Sequence, residues 1–115
     1  MSKIIAVDFD GTLVTDEYPN IGKPIWNVIN WCKEQQLLGN TLILWTCRSG
    51  RELDAAIALC NEVDLHFDYV NCNTIENLMK YGKRDTRKVY ADIYLDDKSI
   101  NINTLLGERK CKKRN

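Results

Sequence analysis

The sequence predicts an α/β fold, a Rossmann-like doubly wound parallel sheet, and three observations carry that expectation. Short apolar runs alternate along the chain with stretches of helical periodicity, as repeated strand and helix units require. Three of the runs end in polar or acidic residues, at Asp8, Thr46 and Asp96, as strands do when their carboxyl ends line a binding crevice. With 115 residues the chain can close one hydrophobic core but not two independent ones.

The first element is the unbroken run Ile4, Ile5, Ala6 and Val7, halted by Asp8 and Asp10 with Gly11 just beyond; it reads as a buried parallel strand. Pro24 suits a first helical turn, and Ile25, Val28, Ile29 and Cys32 follow at one-face helical spacing, predicting a helix from about Lys23 to Gln36. Gly39 and Asn40 punctuate before a second β-rich run, Thr41 to Thr46. Ser49-Gly50-Arg51-Glu52 has the form of a capping box, in which Ser49 and Glu52 satisfy each other's backbone donors. Leu53, Ala56, Ile57 and Cys60 continue it as a helix to about Glu62. Phe67 to Val70 reads as a short third strand, and Thr74 to Tyr81 as a helix stopped by Gly82. Val89, Ala91, Ile93 and Leu95 alternate up to Asp96 and Asp97, predicting a last strand, with a short helix near Ile100 to Leu106.

Formal net charge is zero, yet Arg109, Lys110, Lys112, Lys113 and Arg114 gather at the end and leave residues 1–108 near −5. A domain over residues 1–108 followed by a flexible basic tail at 109–115 is expected. Such a tail could touch nucleic acid or an anionic surface, although short terminal runs are more often simply solvated. Five cysteines (Cys32, Cys47, Cys60, Cys72, Cys111) form no C-x-x-C pair and no metal-ligand spacing around the single histidine, His66, so reduced thiols are expected. The apolar stretch before Asp8 is too short for a signal peptide's core or a membrane span. A cytoplasmic location without membrane partners follows as an expectation.

Asp8-Phe9-Asp10-Gly11-Thr12 sets two carboxylates two residues apart, and at an extended strand end both point to one side. One can attack while the other handles protons. A carboxylate attacking phosphorus needs a hard cation such as Mg²⁺ to neutralise the two charges, and Asp96 and Asp97 offer oxygen ligands for it. The equatorial phosphoryl oxygens need donors, for which the Thr46 hydroxyl and the Lys88 ammonium are suited. Backbone N–H groups near Gly11 and Thr12 could add an anion-binding nest. Arg48 and Arg51 are candidates for the non-reacting part of an anionic substrate, or equally exposed residues at a helix start.

These stretches, D-F-D-G-T-L after the first strand, L-I-L-W-T-C-R at the second, a lysine, and Y-L-D-D at the last, resemble the four motifs of haloacid dehalogenase-like hydrolases, and most of all small members nearly without a cap. The resemblance spans residues 4–97. It implies a Mg²⁺-dependent phosphohydrolase acting through an aspartyl-phosphate on Asp8. It further implies Asp10 as general acid and base whose main-chain carbonyl also binds metal, Thr46 and Lys88 as phosphate binders, and Asp96 with Asp97 on the metal side. Relatives with such an acid pair tend to use the second for direct contact, and often carry Arg where this chain has Lys98.

Larger relatives insert a cap after the first motif or between the threonine and lysine motifs. Here only Val14 to Gly22 separates the first motif from its helix, and Cys47 to Arg87 is filled by two helices and a strand. An open site is therefore expected, serving a nucleotide, oligonucleotide, phosphopeptide or other phosphorylated metabolite, unless association into a homo-oligomer closes it. A receiver-like phospho-switch has similar parts, but its acid pair comes at the first strand, and it lacks an acid two residues after its phosphoacceptor. A dehalogenase needs neither the metal nor Asp10. A non-catalytic phosphate- or metal-binding protein remains the other alternative. Cys47 reads as a small packing residue, His66 as structural or exposed, and Trp26, Trp31 and Trp45 as core or core-edge residues.

Overall fold

Four parallel strands form one sheet in the order β3-β2-β1-β4 in the computed structural model, which describes residues 2–82 and 84–106. The strands are β1 (Ile4–Val7), β2 (Thr41–Leu44), β3 (Tyr69–Val70) and β4 (Ile93–Leu95). Between and after them lie α1 (Trp26–Leu37), α2 (Gly50–Glu62), α3 (Ile75–Lys80) and α4 (Ile102–Leu106). The β1 register pairs Ile5 with Leu42 on one side and with Ile93 on the other. The path therefore winds outward from β1 through β2 to β3, then reverses across β1 to β4. Such a reversal opens a crevice at the carboxyl ends of the two strands it separates. Residues 107–115, where the basic tail was expected, lie outside the described residues. Among the described residues, no helix is long and apolar enough to cross a membrane.

Alternation along each strand divides the apolar side chains between two faces. Ile5, Val7, Leu42 and Leu44 join Ile29 and Cys32 of α1 and Ala56 and Cys60 of α2 in the larger cluster, all within 2% of full burial. The opposite face carries Ala6 and Ile43, covered by Val89 and Ala91 with Ile4, Trp45 and Tyr69 against them. Two right-handed crossovers in the same direction put α1 and α2 on one face, and the reversal to β4 leaves the other to the segment before it. Burial pushes the Cys32 and Cys60 thiols up to about 12, and Cys32, Cys47, Cys60 and Cys72 are all free.

Several elements differ from their sequence-based outlines for identifiable reasons. Pro24 lies before α1: Thr15 N–H donates to the Lys23 carbonyl and Ile25 N–H to that of Leu13, both at 2.8 Å, so residues 13–15 and 23–25 run as a small antiparallel pair. The helix starts only at Trp26, which is half exposed. Ser49 does precede α2 but makes no side-chain capping bond; Gly50, at φ +54°, takes the first turn out of the geometry a capping box needs. Thr74 instead caps α3, accepting from Asn77 N–H at 3.2 Å. Finally, Val89 and Ala91 do not continue the alternation of β4. They face the smaller cluster whereas Ile93 and Leu95 face the larger one, because the chain bends where Asp92 exchanges hydrogen bonds with Ile4.

Candidate active site

The carboxyl ends of β1, β2 and β4 meet around a cavity of about 450 Å³ lined by Asp8, Asp10, Thr46, Asp96 and Asp97 among others. Asp8 continues the β1 ladder, its N–H donating to Leu95 O at 2.9 Å. Its neighbour Phe9 is fully buried, and the Phe9 carbonyl accepts from the N–H groups of Thr12, Leu13 and Val14 at 3.2, 2.9 and 3.3 Å. The acid loop is thus a tight turn pinned by a core aromatic. Replacing such a side chain with alanine costs about 3–5 kcal/mol.

Gly11 has φ +83°, and a Cβ there would lie 2.2 Å from Asp97 Oδ2. Only glycine allows this conformation and this approach of the two loops. The result is a trio: Asp8, Asp96 and Asp97 each offer an oxygen within 4.8 Å of the others. Half-buried Asp8 is pushed up to about 6, first by desolvation and then by repulsion from Asp96, against hydrogen bonds from Phe9 N–H and from the Thr12 hydroxyl at 3.2 Å. Among the described residues five carboxylates line the cavity, Asp16 being the fifth, against two cations, Arg48 and Lys98. All-oxygen donors carrying an excess of negative charge fit a hard divalent cation.

Asp10 is paired with a buried guanidinium. Arg48, only 2% exposed, donates to both its carboxylate oxygens at 2.7 Å, through Nε and Nη2. The remaining Arg48 protons go to the carbonyls of Pro19, Asn20 and Glu52. All five guanidinium donors are engaged, and the group is stacked near the rings of Phe9 and Tyr18 at 5.1 and 5.0 Å. Arg48 is therefore an organiser of the first loop rather than a substrate contact. The Asp10 carboxylate is thus held by the Arg48 guanidinium and lies outside the trio.

Lys88 departs from its expected position. Its Nζ lies over the Tyr94 ring, 5.4 Å from the centroid, and it lines a separate cavity on the smaller-cluster face. The acid cavity is lined instead by Lys98, with Nζ 3.1 Å from Asp97 Oδ2 and 3.7 Å from Asp16 Oδ2. The hydrogen bond between them raises the Lys98 ammonium above its ordinary range and lowers Asp97. The expected nest of N–H groups is likewise closed: Gly11 N–H donates to Val14 O and Thr12 N–H to Phe9 O.

Thr46 does reach the cavity. Asn71, at φ +53° after β3, accepts from Thr46 N–H at 2.8 Å, and Thr46 Oγ1 accepts from Arg48 N–H at 3.1 Å, leaving its hydroxyl proton to donate elsewhere. Cys47, read from sequence as a packing residue, is exposed and lines the cavity. Asp16 and Tyr18 sit in a non-periodic excursion and carry no sequence signal. The position of Lys98, directly after the acid pair, was visible. Arg51 is exposed and is not among the residues lining this cavity, and His66 pairs with Asp64 and Asn61 away from it.

No family model matches the chain, and no curated protein matches it. A solved structure is similar to it: a conserved protein from Bacteroides thetaiotaomicron, 34% identical, with a TM-score of 0.76 over 98% of this chain and 93% of that one.

Proposed function

This chain belongs to the same family as that conserved Bacteroides protein, and from the residues of its own site we propose that it is a Mg²⁺-dependent phosphohydrolase of the haloacid dehalogenase type, with Asp8 as nucleophile. The observation that carries the reading is the trio of Asp8, Asp96 and Asp97, drawn from the ends of adjacent strands at the crevice where the winding order reverses. A bound divalent cation would be held by these carboxylates and would supply charge neutralisation, without which an anionic nucleophile and an anionic ester repel.

In this reading an Asp8 carboxylate oxygen forms a bond to phosphorus as the ester P–O bond breaks. The leaving oxygen departs with the electron pair and takes a proton from solvent. Water then attacks the phosphorus of the aspartyl-phosphate, releasing inorganic phosphate and restoring Asp8. Thr46 Oγ donates to an equatorial oxygen. Lys98, already in the cavity, offers the ammonium that the motif resemblance assigned to Lys88.

One observation favours a second reading, a phosphate- or metal-binding protein with little turnover: both oxygens of Asp10 are occupied by Arg48. Screening nucleotides, phosphopeptides, phosphorylated oligonucleotides and small phosphate esters with Mg²⁺ separates the two. Hydrolysis abolished in Asp8→Asn and reduced about 10²-fold or more in Lys98→Gln is expected. Mg²⁺ binding without turnover of any ester would leave the binding reading standing.

A further inference from the structure

Outside the acid cavity, the most distinctive feature is the segment between α3 and β4. Residues 1–108 hold eleven lysines and arginines, and five of them fall within 80–88. In an otherwise acidic body, that concentration is local. Among these, Lys80, Arg84, Arg87 and Lys88 are exposed. The acid among them, Asp85, is exposed too, but its Oδ1 accepts from the Asn73 side-chain amide at 2.8 Å and from Thr86 N–H at 3.0 Å.

The same segment presents aromatic surface. Tyr81 is 67% exposed, Tyr90 50% and Tyr94 36%, and all three line a cavity of about 330 Å³ together with Arg84 and Lys88. Among the described residues no carboxylate lines it, in contrast to the acid cavity. The Lys80 ammonium lies 5.4 Å from the Tyr81 ring centroid, and that of Lys88 at the same distance from Tyr94. Cations interleaved with exposed rings are what a single strand of nucleic acid needs: ammonium and guanidinium groups follow the phosphates, and tyrosine faces take unstacked bases. A duplex offers no free base faces, and a small dianion would not use the rings.

We propose that this basic tyrosine-lined cavity is a binding site for single-stranded nucleic acid, with one base lodged between the tyrosines and phosphates along Lys80, Arg84, Arg87 and Lys88. It is independent of the phosphohydrolase reading, since binding can be measured without turnover.

The test is fluorescence anisotropy of the full chain with a labelled deoxythymidine oligomer of about 12 nucleotides at several salt concentrations. Affinity should fall with salt at a log–log slope of about −2 to −3, for up to four phosphates neutralised. Arg84→Glu should weaken binding about tenfold or more, and Tyr81→Ala at least about fivefold, with Tyr81→Phe restoring it. Both positions are exposed, and circular dichroism checks that the variants fold. No binding at low salt, or Arg84→Glu and Tyr81→Ala binding as tightly as wild type with only neutralisation of the 109–114 cations abolishing it, would overturn the proposal.

Discussion

At the scale of single residues the site is a balance of charges held closer than water would allow. Asp8 illustrates it: its carboxyl is raised from 3.8 to about 6, so the folded chain binds that proton more tightly than the unfolded one. The sign follows from linkage: stability falls as pH rises through the window from 3.8 to about 6, and the penalty is constant above it. The full shift would approach 3 kcal/mol, but a half-exposed group is screened by solvent, and about 1 kcal/mol is the expected size. In chelator, Asp8→Asn should therefore be more stable than wild type at pH 7 by about 1 kcal/mol, with the gain vanishing near pH 4; equal denaturation midpoints at both pH values would contradict this. Asp10 gives the opposite sign. Asp10→Asn leaves the buried Arg48 without its counter-charge, and a loss of about 3–5 kcal/mol is expected, read in urea. A purely catalytic Asp10 would lose rate with no stability change. The motif singled out both aspartates, and both line the cavity, yet it could not show that Asp10 is also clamped by a guanidinium, because that depends on a residue 38 positions away.

At the scale of elements, the strands were the most legible part. Ile4–Val7 is found as expected, and Thr41–Leu44 begins where its apolar run begins, since unbroken apolar runs admit little else between polar ends. Element ends set by tertiary contacts were not legible. The last strand shrinks to Ile93–Leu95 because Val89 and Ala91 were needed on the other face, a division that a period of two cannot reveal. The excursion from Val14 to Gly22 was read only as a gap too short for a cap, yet it supplies Asp16 and Tyr18 to the cavity rim. Its closure depends on Gly22, where a Cβ would fall 1.9 Å from the Thr15 carbonyl oxygen. As the obstacle is backbone, the excursion must shift. Gly22→Ala should cost about 1–3 kcal/mol, seen as a lower Tm, and should hasten proteolysis within residues 15–22. A variant with wild-type Tm and cleavage rate would show that this excursion relaxes freely.

At the scale of the whole molecule, charge is segregated among the described residues: carboxylates line the cavity at the strand ends, whereas Arg84 and Lys88 line the one on the smaller-cluster face. The sequence already displayed the lysines and arginines of 80–88, but only the fold brings Tyr90 and Tyr94 to one cavity with Tyr81. The strand order has a mechanical consequence. Asp8 hangs from β1, bonded on both sides, whereas Asp96 and Asp97 hang from β4, a three-residue strand at the sheet's edge. An ion shared by the trio would act as a clasp, fastening an edge strand to a central one. Hydrogen exchange reads this directly. In chelator the amides of Asp8 and Leu95 should exchange by local opening of the edge, well before those of β2. With Mg²⁺ at a hundredfold excess over its Kd, the clasp should add about 3 kcal/mol to the opening free energy. The slowing should be confined to β4, the Asp8 amide bonded to it and the loop after it, and should vanish in Asp97→Asn, as expected of a cation that locks the sheet's margin.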